Sequence, residues 1–398
     1  MNRRSIAVII AGFFTIFIAY SIRYGYGMLL PEMLTSLSIS KTQAGVIYSS
    51  YFVAYTLFSP ILGYMADRYN VRIILTIFVT LLGIGAFLMS FASSVLNASL
   101  FFTLAGIGHA ACWVPVVALI QRWVSDNKRG MALSIADLGS ATGIAVWSNV
   151  IPMIVLAYGW RVGWRSLGCI GLIVAVLNFI LVRSHNGETT GNRKSGEESL
   201  NKEPVSVVYP MLFKDYRFWF IGISYLLVGF SVLIPYTFLS TYALTDLKIS
   251  YENATRLLAV IAIMGIAGKL TFGTLSDKIG RIRMMVLGSV FLAAGSLGMA
   301  FSTRPSIVLF TAVFGVGYGS VWPLYAAAAQ DYFTKKYAGS VIGLWTVCLG
   351  IGSIIAPVLG GWSIDKTGSF EAAFILGFIC AVISVLLLLM VPRSVQAG

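Results

Sequence analysis

Twelve apolar blocks, most of them 20 or more residues long, limit the folds open to this 398-residue sequence more than any other feature. They lie at about residues 6–30, 43–66, 73–92, 96–121, 130–153, 163–182, 218–243, 253–275, 284–302, 306–330, 338–362 and 370–391. Each is long enough to cross a hydrocarbon core of about 30 Å as an α-helix. Charged residues make up 11% of the chain, whereas a soluble protein carries about a quarter. The sequence therefore predicts an all-α polytopic membrane protein with twelve transmembrane helices.

The basic residues predict an orientation. Arg3 and Arg4 precede the first block as in a signal peptide, but the block is too long and no cleavage site follows, so we expect a retained helix. Placing both termini in the cytoplasm assigns nineteen of the 28 Lys and Arg residues to that side and seven to the other. The positive-inside rule favours this arrangement. The net charge of +13 then reflects topology beside anionic lipid, and no nucleic-acid partner is expected. The short loops predict a prokaryotic cytoplasmic (inner) membrane.

A polar segment at 184–214 divides the chain into an N-terminal six-helix unit at 1–183 and a C-terminal one at 215–398. The two units resemble each other at an offset of 209 or 210 residues. GYMADRYNVR at 63–72 corresponds to GTLSDKIGRIR at 273–283, and GIGHAACWVPVVALIQRW at 106–123 corresponds to GVGYGSVWPLYAAAAQDY at 315–332. Two pseudo-symmetric six-helix bundles, with a substrate site between them near the membrane midplane, are typical of transporters that rock between two states.

The segments at 63–72 and 273–283, each placed after the second helix of its unit, resemble the loop motif of the major facilitator superfamily. The resemblance covers the whole chain, because motif, repeat, helix count and linker agree. It implies that the motif residues form gating contacts at the cytoplasmic surface. These residues are Gly63, Asp67, Arg68 and Arg72 in the first unit and Gly273, Asp277, Lys278 and Arg281 in the second. The alternative is that their charges serve only to set the topology.

Five ionisable residues remain within or close to the apolar blocks: Arg23, Glu32, His109, Asp137 and Lys269. A charge near the bilayer centre costs about 2.5 to 3.5 kcal/mol, so each is a candidate functional residue. Asp137, His109 and Glu32 are candidates for carrying a coupling proton. The alternatives are an ion pair between Asp137 and an Arg such as Arg122, a packing role for His109, and a solvated Glu32.

Arg23 shares one helical face with Tyr20, Tyr26 and Gly27. The spacing from Arg23 to the proline in RYGYGMLLP resembles the first helix of the organophosphate:phosphate antiporters and the anion:cation symporters. That resemblance implies that Arg23 binds a phosphate or carboxylate. The shared helical face makes Tyr26 a further candidate for the substrate site. The alternative is that the long side chain snorkels to the membrane surface.

Lys269 lies four residues before the motif glycine of the second unit. This position resembles the eighth-helix Arg of monocarboxylate transporters and oxalate:formate exchangers, which pairs with the substrate carboxylate. A Lys differs from that pattern because it lacks the planar, forked guanidinium of an Arg. The alternative role for Lys269 is that its side chain snorkels to the membrane surface. One cation in each unit, Arg23 and Lys269, would attract a small anion. The repeat-related pairs His109 with Trp113 and Tyr318 with Trp322 are expected to line the cavity.

The predicted function is secondary active transport of a small organic anion, a mono- or dicarboxylate, by alternating access. Proton symport and exchange against a counter-anion both stay open. An organophosphate:phosphate antiporter is one alternative, although the second Arg of those proteins falls near Val232 here. A proton-coupled exporter of drugs or other amphiphiles is another, although Phe102 stands where many exporters carry an Arg, and a cationic cavity repels cationic drugs. Neutral sugars or nucleosides would not require the two cations.

The sequence shows no phosphate-cradling loop, no metal-ligand cluster and no nucleophile beside a base. We therefore expect neither an enzyme nor a cofactor or metal. The expected partners are the transported anion, a proton or counter-anion, and membrane lipid, and the expected state is a monomer.

Overall fold

The structure, a computed structural model, describes residues 3–182 and 205–392. All regular secondary structure in these residues is helical. The helices are α1 (Arg3–Leu37), α2 (Lys41–Arg68), α3 (Val71–Met89), α4 (Val95–Ala110), α5 (Val114–Trp123), α6 (Asp126–Tyr158), α7 (Trp160–Leu181), α8 (Val205–Lys214), α9 (Tyr216–Thr245), α10 (Tyr251–Ile279), α11 (Arg281–Ala300), α12 (Ile307–Thr367) and α13 (Glu371–Leu389).

Twelve segments of these helices are long and apolar enough to cross a membrane, which confirms the prediction of twelve spans. The fourth span consists of α4 and α5, separated by a break next to Pro115, whose missing N–H suits the first turn of α5. The tenth and eleventh spans form the single helix α12, because the backbone between Phe333 and Tyr337 continues as a helix. The predicted polar linker lies outside the described residues up to residue 204, and its last ten residues form α8.

Successive spans run in opposite directions, so the loops fall at two ends of the molecule. We call the end that holds Arg3 and the loops at 69–70, 124–125 and 280 the near face. The far face holds the loops at 38–40, 90–94, 246–250 and 301–306. Two helices that begin at the far face, α2 and α4, start with a serine capping box that satisfies their first backbone N–H groups.

Equivalent glycines pack in the same way in the two units, as the repeat predicts. A Cβ added at Gly106 would lie 2.3 Å from the carbonyl oxygen of Tyr51, and one at Gly315 would lie 2.8 Å from the carbonyl oxygen of Ile261. Gly315 and Ile261 follow Gly106 and Tyr51 by 209 and 210 residues. In both units a helix therefore crosses its neighbour at a distance that only glycine permits. The units are two pseudo-symmetric six-helix bundles.

The far halves of the two bundles are in close contact at two symmetry-related crossings. At the α2–α12 crossing, a Cβ added at Gly45 would lie 2.1 Å from the carbonyl oxygen of Pro357. At the α6–α10 crossing, the hydroxyl of Thr255 donates to the carbonyl of Ser148 at 2.8 Å. Closer to the far face, the Asp365 carboxylate accepts hydrogen bonds from the first backbone N–H groups of α2. These contacts seal the far half of the interface.

The near half of the interface is different. Among the described residues, the only polar contact there between the bundles is an ion pair between Lys269 and Asp137. Cβ atoms added at the near-face glycines Gly130, Gly273 and Gly339 would meet no atom within 4 Å. The far half of the interface is therefore closed, whereas the side chains of Lys269 and Asp137 in the near half are 39% and 26% exposed.

Candidate functional site

Arg23 lies in α1 and is only 5% exposed. Its Nε atom is buried and has no hydrogen-bond partner, and none of the described residues forms an ion pair with its guanidinium. The side chain is enclosed by protein, which argues against the snorkelling alternative. A guanidinium cannot lose its proton to become neutral, so this permanent charge has no counter-ion among the described residues.

Aromatic rings surround the guanidinium of Arg23. Its Cζ atom lies 4.5 Å from the ring centroid of Phe52 and 5.2 Å from that of Tyr55. The rings of Tyr24 and Tyr20 follow at 5.5 and 5.8 Å. A cation–π contact contributes about 0.5 to 2 kcal/mol, so the rings stabilise the charge only partly. They leave it available to an anion.

His109 belongs to the same pocket. It is 2% exposed, and its Nδ1 shares a short hydrogen bond with the hydroxyl of Tyr51. Its ring lies 5.4 Å from that of Tyr20 and 5.2 Å from that of Tyr55, two of the rings that surround the guanidinium. Trp113 lies apart at the break between α4 and α5, is 41% exposed, and makes no ring contact with the pocket among the described residues.

The C-terminal bundle supplies the opposite wall. The hydroxyls of Tyr318 and Tyr24 lie 3.5 Å apart across the interface, and the ring of Tyr236 stacks on Tyr24 at 3.9 Å. Trp322 contacts Tyr318 at 5.1 Å between centroids, so the structure places these two predicted residues together. Tyr236 was not predicted as a site residue, although it is the repeat equivalent of Gly27. The two residues are in close contact, because a Cβ added at Gly27 would lie 2.0 Å from the carbonyl oxygen of Tyr236.

Two residues that were predicted to belong to the site, Tyr26 and Glu32, do not contact Arg23. The hydroxyl of Tyr26 donates to the carbonyl of Ala44 at 2.7 Å, and its ring stacks on Tyr48 at 4.6 Å, so Tyr26 packs α1 against α2. Glu32 is exposed near the far face. Neither side chain contacts the guanidinium, and their predicted roles stay predictions.

Asp137 and Lys269 form an ion pair that joins α6 to α10 across the two bundles. The alternative of a static ion pair therefore describes Asp137, but its partner is Lys269 and not Arg122, which donates to the carbonyl of Ala66 at 2.9 Å. The sequence predicted Asp137 and Lys269 as two separate candidate residues and did not predict the ion pair between them. Their positions along the helices could have indicated this pairing, since both residues lie about ten residues from the near-face ends of helices that cross at the interface.

The second loop motif forms ion pairs within its own bundle. Arg281 binds the carboxylate of Asp277 at 2.5 Å and that of Asp331 at 3.3 Å, which connects α10, α11 and α12 at the near face. Lys278 is exposed, and Gly273 has open space around it.

The first loop motif also contacts only its own bundle among the described residues. Arg72 donates to the carbonyl of Phe179 at 2.8 Å, Arg68 is exposed, and a Cβ added at Gly63 would meet one atom, 3.8 Å away. The side chain of Asp67 lies outside the described part of the structure. The gating role of both motifs remains a prediction.

Within the described residues, no group of three or more His, Cys, Asp or Glu side chains could hold a metal ion. In the part of the chain that the structure describes, the pocket thus offers one unpaired cation, a buried histidine, several tyrosines and, on its near side, a neutralised ion pair. This arrangement suits a small anion better than a covalent reaction.

The chain belongs to the Major Facilitator Superfamily, whose family model matches residues 12–303 and 245–398. It is therefore a membrane transporter and not an enzyme, as the sequence predicted. It is 25% identical to the hexuronate transporter of Bacillus subtilis (strain 168), over 94% of this chain and 92% of that one. Identity is 25% to monocarboxylate transporter 12-B of Danio rerio, over 83% of this chain and 75% of that one.

A third relative is the probable sulfoacetate transporter SauU of Cupriavidus necator, 24% identical over 90% of this chain and 87% of that one. Among solved structures, a bacterial homolog of the human lysosomal transporter Spinster, in an inward-facing and occupied conformation, superimposes with a TM-score of 0.83. The two share 14% identity, over 98% of this chain and 97% of that one. This likeness supports the fold.

Proposed function

We propose that this protein is a secondary active transporter of a small organic anion, a mono- or dicarboxylate, and that Arg23 binds the anion. The observation that carries the proposal is the burial of Arg23 without a counter-ion among the described residues. An uncompensated charge inside a membrane protein costs several kcal/mol. A residue that retains such a charge in a space open to one face of the membrane is suited to a ligand of opposite charge.

The same charge gives alternating access a physical basis. When the site is empty, closing the near half of the interface would enclose an unpaired cation. When an anion is bound, the two charges compensate each other and the bundles can close around a neutral pair. The ligand thereby favours the occluded state through its differential affinity for that state.

Two features favour a carboxylate over a phosphate ester. Among the described residues the pocket has one arginine. The position near Val232, where a second arginine would complete a phosphate clamp, holds a buried apolar side chain that is 1% exposed. The three relatives are described as transporters of a hexuronate, of monocarboxylates and of sulfoacetate. All three names denote organic anions that carry a carboxylate.

The proposal extends to sidedness and coupling. The proposed orientation has the near face in the cytoplasm, and the distribution of Lys and Arg supports it. Both termini would then be cytoplasmic, and the proposed membrane is the inner membrane of a prokaryote. The second transported ion is a proton, with Asp137, His109 or Glu32 as its carrier, or a counter-anion that refills the site. The transporter is proposed to act as a monomer in lipid.

The test is thermal stabilisation of the purified protein by a panel of lactate, pyruvate, oxalate, succinate, glycerol phosphate, hexuronate and a lipophilic cation. A ligand at 100 times its dissociation constant adds about 2.7 kcal/mol to the stability of the folded state. We expect a carboxylate to raise the Tm of the wild type and not that of Arg23→Gln. Arg283→Gln, which removes an exposed near-face cation, should respond like the wild type.

Two outcomes would overturn this function. Stabilisation by the lipophilic cation alone would favour an exporter of amphiphiles. Carboxylate shifts that survive in Arg23→Gln would show that the anion binds elsewhere.

A further inference from the structure

We propose that Asp137 restricts the transported anion to a single negative charge, because it neutralises Lys269 and leaves Arg23 as the only unpaired cation among the described residues of the pocket. This inference rests on the proposed function and makes it more specific. It assigns Asp137 as a specificity-determining residue and a net monoanion, such as a monocarboxylate, as the substrate class.

The ion pair and Arg23 face the same space from different depths. A Cβ added at Gly12 would lie 3.5 Å from the Cβ of Ala136, so Asp137 is level with this part of α1. Arg23 lies eleven residues further along α1, roughly 16 Å of helix axis at about 1.5 Å per residue. Side chains on a helix lean toward its N-terminus, so the guanidinium points back toward Tyr20 and the near face.

The ion pair is accessible from this space. The side chains of Lys269 and Asp137 are 39% and 26% exposed, in contrast to the 5% exposure of Arg23. An anion that enters from the near face therefore passes the pair before it reaches the guanidinium. A substrate a few carbon atoms long, with one end on Arg23, would extend its other end toward the pair.

The charges of the described groups around this space give a net value of +1. Lys269 and Asp137 cancel each other, and Arg23 contributes one positive charge. His109 is neutral, because burying a second cation beside Arg23 is unfavourable. A monoanion makes the loaded pocket neutral. A dianion makes it negative and places its second carboxylate near that of Asp137.

The expected discrimination follows from Coulomb's law. Because Lys269 already pairs with Asp137, the second carboxylate of a dianion would have no unpaired cation to bind among the described residues, and we expect this unmatched charge to weaken binding by roughly tenfold or more. Replacing the Asp137 carboxylate by an amide frees Lys269 to attract that second carboxylate. The preference should then reverse, since the pocket would carry two cations.

Succinate and its monoamide, succinamate, make a matched pair of probes, because they have the same length and differ by one charge. Their dissociation constants would be measured by calorimetry on the purified full-length protein for the wild type, Asp137→Asn and the double variant Asp137→Asn/Lys269→Met. We expect the wild type to bind succinamate at least tenfold more tightly than succinate. Asp137→Asn should favour succinate, and the double variant should favour succinamate again because its pocket returns to one cation.

Asp331→Asn is the control, because it changes a carboxylate to an amide on the near face, where Asp331 contacts Arg281 within one bundle. It should keep the wild-type ratio. The double variant also guards against misfolding, since it replaces an ion pair by two neutral side chains. The inference is overturned if wild type binds both probes equally or if Asp137→Asn leaves the ratio unchanged. A wild type that binds neither these probes nor any other carboxylate would instead contradict the proposed function itself.

Discussion

At the scale of single residues, the sequence predicted Arg23 as a functional residue but did not predict the side chains that surround it. A lone charge in a block long enough to span a membrane stands out in any hydropathy pattern, and its spacing to the tyrosines was visible. Phe52 was not singled out, although it contacts the guanidinium most closely. An aromatic side chain on a transmembrane helix is expected for many reasons, so only the packing of α1 against α2 gives Phe52 its role.

The Arg23→Lys variant tests the contribution of the positive charge separately from that of the planar guanidinium. A lysine keeps the positive charge but loses the planar group that lies over Phe52 and the fork that binds a carboxylate with two hydrogen bonds. We expect carboxylate affinity to fall by roughly tenfold, which corresponds to about 1.4 kcal/mol, whereas Arg23→Gln should abolish binding. Titration calorimetry on both variants would measure the difference. Wild-type affinity in Arg23→Lys would show that the site acts only through its net charge.

At the scale of helices, the sequence predicted the number of spans but not how they join and meet. The residues between the tenth and eleventh spans read as a polar joint, yet α12 runs through them because no proline or positive-φ glycine interrupts the backbone. The contact between the far end of α12 and the start of α2 was also unpredicted. There the Asp365 carboxylate accepts hydrogen bonds from the N–H groups of Lys41 and Thr42, as an N-cap does, although it belongs to the other bundle.

Gly361→Val tests whether this helix contact holds the far face closed. A Cβ at Gly361 would lie 2.2 Å from the carbonyl oxygen of Lys41, so the valine should separate α12 from α2. Overpacking of this kind costs about 1 to 3 kcal/mol, which shifts the equilibrium between far-closed and far-open states by at least fivefold. Spin labels at Lys128 and Lys278, exposed on the near faces of the two bundles, should move closer together as the far face opens.

Gly343→Val is the matched control for this prediction. It makes the same substitution in the same helix, at a position where an added Cβ meets no atom within 4 Å. Its label distances should equal those of the wild type. Unchanged distances in Gly361→Val would show that the α2–α12 contact does not control the state of the far face.

At the scale of the whole molecule, the two bundles are symmetric where they are closed and asymmetric where they are open. The far half is sealed by equivalent crossings, Gly45 on Pro357 and Thr255 on Ser148, which the repeat relates by 209 and 210 residues. The near half has the Asp137–Lys269 ion pair at one crossing only. Its repeat equivalents at the other crossing, Ser59 and Thr346, are uncharged. The internal repeat could therefore predict the shared scaffold, but not the charges that distinguish its two halves.

This asymmetry, together with the unpaired charge of Arg23, predicts that exchange is faster than net transport. To return empty, the carrier must close around an uncompensated cation, and a broken buried ion pair costs about 3 to 5 kcal/mol. A loaded carrier closes around a neutral pair and avoids most of this cost. Uptake of a radiolabelled carboxylate into proteoliposomes should therefore be at least tenfold faster when the vesicles contain the unlabelled anion than when they are empty. Arg23→Gln should show no such stimulation. Equal rates in loaded and empty vesicles would contradict this mechanism and point to net symport, in which a proton on Asp137, His109 or Glu32 accompanies the anion.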